Sequence, residues 1–143
     1  MSDPTPPASV QRVLDAAARK GVTLEVTVFD ESTHTAEQAA AAVGAEVGQI
    51  VKSLVFVVPA EDGLEPVLCL VSGANRVDLA RLAAVTGEPS IRRATAREAN
   101  ALTGFVIGGI PPLWLYGGLA VVASLYAALF GLGAINLARE PDG

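Results

Sequence analysis

Apolar residues recur at helical spacing near the start of the chain. Val10, Val13, Leu14 and Ala17 share one face of a helix predicted over Ser9 to Lys20, with Gly21 as its stop. Leu24 to Phe29 then alternates apolar and polar positions, the period of a strand. Thr35-Ala36-Glu37-Gln38 has the form of a capping box, and the Ala-rich run to Val43 continues as helix up to Gly44. Ser53 to Val58 is a nearly continuous apolar strand, Pro59 to Pro66 a turn, and Val67 to Ser72 the hairpin partner that Gly73 ends. Asp78 caps a helix to Val85, closed by Thr86-Gly87, and Ser90 to Arg92 reads as a short strand. Thr95-Ala96-Arg97-Glu98 is a second capping box, opening a helix that stops at Gly104. The implied class is α/β, with a mixed, largely antiparallel sheet and surrounding helices in a single domain.

From Ala99 to Ala138 there is no charged residue. Gly117 to Ala138 is long enough to span a bilayer as a helix, which takes about 20 apolar residues. Ala123, Ala127 and Gly131 recur every fourth position, a spacing suited to close helix packing. This atypical apolar C-terminal helix has three readings: a membrane anchor, a cover over the domain or an oligomer interface, or a stretch read out of frame after about Leu113. The positive-inside rule weighs against the anchor, because the nearest basic residue on the side of the domain is Arg97.

Net charge is −5, so no global basic field advertises nucleic acid. The charges are uneven, however. Arg76, Arg81, Arg92, Arg93 and Arg97 cluster against only Asp78, Glu88 and Glu98, so a polyanion would land in the middle of the chain; a solvated mixed-charge face explains the same count. The single cysteine, Cys69, lies in an apolar strand and reads as a packed thiol in a reducing compartment. The N-terminus lacks the basic and apolar regions of a signal peptide, which points to the cytosol.

The single histidine, His34, reads as a loop residue with no nucleophile placed beside it. One His and one Cys argue against zinc, and no glycine spacing matches a dinucleotide fingerprint or a P-loop, so no cofactor is called for. Two stretches remain. Lys52 puts a lone cation at the mouth of an apolar strand, where it either guards an edge or meets a ligand. Gly108-Gly109-Ile110-Pro111-Pro112 is a backbone-rich loop, either a turn or a set of amides available to a carbonyl oxygen.

Together these stretches resemble the YbaK/EbsC family of aminoacyl-tRNA editing domains, related to the insertion domain of bacterial prolyl-tRNA synthetase. The resemblance covers roughly residues 8–113. It rests on the Thr35 helix, Ile50-Val51-Lys52-Ser53-Leu54, Leu70-Val71-Ser72-Gly73, and Thr103-Gly104-Phe105 leading to a Gly-x-x-x-Pro loop at Gly108 and Pro112. It implies that 8–113 is the editing domain and 114–143 an atypical hydrophobic segment. It implies hydrolysis of mischarged aminoacyl-tRNA, typically tRNA(Pro) carrying Ala or Cys, at the 3′ acceptor end, with prolyl-tRNA synthetase as a partner. Lys52 would engage the phosphate or ribose side of the terminal adenosine, and the Gly108 and Gly109 amides would lie near the ester carbonyl. Phe29, Ser53, Ile110, Pro111 and Pro112 would line the substrate. Phe29 stands where relatives often carry a polar aromatic, and Pro111 where some carry Ser. After Pro112 the chain departs from the family pattern, so binding without turnover and membrane tethering through 117–138 stand as alternatives.

Overall fold

The computed structural model describes residues 6–29, 33–111 and, as backbone, 120–123. Helix α1 spans Ala8–Arg19 and turns its Ala16 and Ala17 face onto Leu24 and Phe105. Helix α2, Ala36–Val43, begins with the expected capping box: Thr35 Oγ1 accepts from the Gln38 N–H at 3.1 Å, and Gln38 Oε1 accepts from the Thr35 N–H at 3.2 Å. A single 3₁₀ turn, Val47–Gln49, leads into strand β1, Val51–Ala60, which pairs along its whole length with antiparallel β2, Gly63–Ser72.

The hairpin is longer than the sequence pattern suggests, because Pro59 and Pro66 lie inside its strands rather than in the turn. Ladder alternation explains how they fit. Gly73 N–H donates to the Ile50 carbonyl, and Val55 presents its carbonyl to Ala94 on the opposite side. Odd-numbered β1 positions therefore point away from β2, and Pro59 and the Pro66–Val57 pair fall where no hydrogen bond crosses the hairpin.

Helix α3, Leu79–Thr86, is capped by Asp78, and helix α4, Ala96–Thr103, by the Thr95–Glu98 box. Between them β3, Arg92–Arg93, pairs with β1 at Phe56 and Val57. The sheet order is β3-β1-β2-β4, where β4 is Ala120–Ala123, parallel to β2. The sheet carries apolar side chains on both faces. Phe56, Val58, Cys69 and Val71 pack with Leu82 of α3, while Val55, Val57 and Leu68 pack with Ala99 of α4. Cys69 is fully buried, and burial pushes its thiol up to about 12, in keeping with a packed, unreactive side chain.

Two sequence expectations are corrected. Leu24–Phe29 joins no ladder among the described residues. Only Leu24 is held, by α1 and Phe105, and Val26, Val28 and Phe29 are exposed. Alternation marks which side chains share a face but supplies no partner strand. The expected apolar helix is also overturned where it can be seen: Ala120-Val121-Val122-Ala123 is strand, paired with Val67–Leu70. A short apolar run with β-branched residues suits a buried strand as well as a helix. The remainder of 117–138 lies outside the described residues, among which no helix is long and apolar enough to cross a membrane.

Arg92 grips Glu98 with both terminal nitrogens, at 2.9 and 2.8 Å. That pair, with the Thr95 N–H, holds the Glu98 carboxyl down to about 2 from an ordinary 4.5. A depressed carboxyl pKa stabilises the fold above the unfolded value and ceases to do so as pH falls through the folded one. Urea midpoints should therefore fall between about pH 4.5 and 2 in the parent, and less steeply in Glu98→Gln.

Candidate active site

Lys52 enters β1 on the α3 face, two residues before Leu54 and four before Phe56. Its stem is half-buried, and its ammonium donates to the Asn75 carbonyl at 2.7 Å. That bond ties β1 to the loop between β2 and α3. Burial holds the Lys52 pKa below its ordinary value, as does the positive charge of Arg76; Glu37 opposes them, and Arg93 lowers it further. The ammonium is thus a partly dehydrated cation with a backbone acceptor.

The floor under this corner is fixed by two further contacts. Ser72 Oγ donates to the Gly48 carbonyl at 2.7 Å, and the Gly73 N–H donates to the Ile50 carbonyl at 2.6 Å. A Cβ at Gly73 would collide with the Val47 carbonyl oxygen, so the Ser72-Gly73 pair is the close-packing point that sets the strand mouth against the 3₁₀ turn.

The glycine loop follows α4. Thr103 Oγ1 bonds the Ala99 carbonyl at 2.7 Å and accepts from the Phe105 N–H at 3.1 Å, which turns the chain after Gly104. Gly108 has φ +89, a conformation open to glycine and strained for other residues. Gly109 N–H donates to the Val106 carbonyl at 3.0 Å, closing a tight turn. The two glycine amides therefore differ. Gly109 N–H is engaged within the loop, where the turn uses that donor. Gly108 N–H has no partner among the described residues.

Lys52, Ser53, Gly108 and Ile110 come together on a cavity of about 200 Å³, which also takes in Thr33, His34 and Ala39. Ser53, Gly108 and Ile110 additionally border a smaller recess of about 60 Å³ against Ala94 and Ala99. On the other side of Lys52 lies a groove of about 410 Å³, lined by Leu54, Phe56, Arg76, Val77, Leu79 and Arg93. Lys52 borders both.

The other expected site residues are not brought in. Phe29 is exposed and lines none of these cavities, since its segment has no strand to hold it against the sheet. Pro111 is buried without lining them, and Pro112 lies outside the described residues. Conversely, His34, expected as a loop residue, borders the cavity. The capping box places it there: its backbone N–H donates to Gln38 Oε1 at 2.9 Å, which folds the turn before α2 toward Lys52. Among the described residues no cluster of His, Cys, Asp and Glu is arranged to hold a metal.

The aminoacyl-tRNA editing domain profile matches residues 30–124, and the chain belongs to that family. Its topology agrees with a solved structure described as "a putative trans-editing enzyme for prolyl tRNA synthetase", at TM-score 0.73 and 45% identity, covering 89% of this chain and 77% of that one. The multifunctional Ser/Thr-tRNA deacylase ProXp-y of Escherichia coli K12 is 30% identical over 113 residues, 79% of this chain and 67% of the relative. A proline–tRNA ligase of Nitratidesulfovibrio vulgaris strain DP4 is 36% identical over 84 residues, 59% of this chain but only 14% of the ligase. The chain thus corresponds to a small part of the ligases it matches.

Proposed function

We propose that this chain hydrolyses the ester of mischarged aminoacyl-tRNA in trans, with Ala- or Cys-tRNA(Pro) as the substrate class. It would act in the cytoplasm, alongside prolyl-tRNA synthetase. One observation carries the reading: two motifs far apart in sequence, Lys52-Ser53 and Gly108 to Ile110, border a single cavity of about 200 Å³. That cavity offers a cation, the Gly108 amide, which has no partner among the described residues, and the Ser53 hydroxyl and His34 imidazole, which share no hydrogen bond with one another.

The chemistry follows from that inventory. Water attacks the ester carbonyl carbon, the carbonyl oxygen gains negative charge, and the bond to the ribose oxygen breaks with a proton passing to that oxygen. The Gly108 N–H is the donor available to the developing oxyanion, and a fixed donor of this kind acts most strongly where charge appears in the transition state. The Lys52 ammonium holds the phosphate or ribose side of the terminal nucleotide, so that binding supplies alignment. The substrate's own vicinal hydroxyl places the water. Ser53 and Ile110 bound the space left for the amino acid.

Binding without turnover is a second reading, favoured by the engagement of the Gly109 amide with Val106. Deacylation assays on tRNA(Pro) charged with Ala, Cys or Pro decide between them. Release of Ala or Cys well above buffer hydrolysis, with Pro-tRNA(Pro) spared, is expected. A folded chain that binds these tRNAs and releases nothing would establish the second reading.

A further inference from the structure

Arg76, Arg93 and Lys52 converge on the groove of about 410 Å³, and no acidic residue lines it. Arg93 is set there by packing: its guanidinium lies 5.5 Å from the centre of the Phe56 ring, and Phe56 is itself buried. Arg76 is exposed at the end of the loop that Lys52 tethers through Asn75. Among the described residues neither arginine forms an ion pair. The contrast is Arg92, the next residue along β3, whose guanidinium is held by Glu98. Three like charges gathered with no acidic residue lining the groove repel one another, Glu37 offsetting this only at Lys52, and an anion in the groove relieves that repulsion.

We propose that this groove is a phosphodiester track, seating the backbone of the single-stranded RNA just before the nucleotide whose ester enters the smaller cavity. The identity of the polyanion rests on the deacylase reading; the presence of an anion track does not. Strand alternation supports the division of labour. Lys52, Leu54 and Phe56 line the groove and Ser53 and Val55 the recess beside the glycine loop; Leu54 and Arg93 reach both of these, and among the described residues Lys52 alone joins the groove to the cavity of about 200 Å³. The lysine thus stands where the reacting end leaves the track. Guanidinium groups suit the role, since they are weakly hydrated and contact phosphate oxygens in pairs. The apolar floor of Leu54, Val77 and Leu79 gives ribose and base surfaces a place to pack without selecting sequence.

The test measures equilibrium binding of uncharged tRNA(Pro) to the full chain across a salt series, where no turnover is involved. Each phosphate contact on a single strand contributes about 0.7 to the log–log slope. Arg76→Gln and Arg93→Gln should each reduce its magnitude by about 0.7, and together by about 1.4. Arg97→Gln, on α4 away from the groove, should leave it unchanged. Arg93→Lys keeps the charge over Phe56 and should restore the slope, which separates a phosphate contact from a packing role. Slopes of Arg76→Gln and Arg93→Gln equal to that of the parent would overturn the track, as would a parent slope near zero. A chain with the expected slopes that releases no amino acid keeps the track and loses the deacylase reading. A chain that deacylates with unaltered variant slopes loses the track alone.

Discussion

Lys52→Ala should lower deacylation about 10–150-fold, the equivalent of one charged hydrogen bond of about 1.5–3 kcal/mol. The substitution removes the cation that borders both cavities, so the loss should fall on the alignment of the terminal nucleotide. It also removes the bond from the ammonium to the Asn75 carbonyl, which ties β1 to the loop before α3. A net loss of about 1 kcal/mol in folding stability is therefore expected beside the kinetic effect. The two are separable because urea denaturation reads the folding loss alone, whereas the kinetic loss is measured on protein that remains folded. A Lys52→Ala protein that is folded and deacylates at the parent rate would remove Lys52 from the site.

The helices were legible because their ends are written locally. Thr35 with Gln38 and Thr95 with Glu98 form the capping boxes read from four-residue patterns, and Gly44 and Gly104 close the same helices in the left-handed region. The hairpin was legible in kind but not in length: prolines were read as turn residues, although ladder alternation accommodates both. The failures are non-local. The Leu24–Phe29 alternation could not announce the lack of a partner strand, and the apolar run containing Ala120–Ala123 could not announce that it pairs beside β2. The site divides the same way. Lys52, Ser53, Gly108 and Ile110 were found as motifs, and the fold gathers them. The engagement of the Gly109 amide was invisible, because it depends on a turn geometry that two adjacent glycines permit without requiring it. Likewise five arginines read as one cluster, and only the fold divides Arg92, neutralised by Glu98, from Arg76 and Arg93.

Gly73→Ala should be the most damaging single-methyl change in the described residues. The added Cβ would overlap the Val47 carbonyl oxygen and press on the side chains of Ala36 and Ile50 as well. The Cβ atoms of Ala36 and Ile50 move only with their own backbone, and a carbonyl moves only with its peptide. Here the neighbouring peptides are pinned by Ser72 Oγ on Gly48 and by the Gly73 N–H on Ile50. Overpacking of this kind costs about 1–3 kcal/mol, and the upper end is expected because relief requires parting the 3₁₀ turn from the strand mouth. Lys52 stands two residues beyond Ile50, so the displacement reaches the cavity. Urea denaturation should show a midpoint well below the parent's at unchanged slope, and deacylation should fall even where the variant remains folded. Gly44→Ala provides the comparison. Its φ of +67 strains alanine, yet a Cβ there meets no atom within 4 Å, so its cost should stay near 1 kcal/mol with deacylation intact. Equal destabilisation in the two variants would mean that the contact with Val47 is relieved at little cost and does not account for the glycine at position 73.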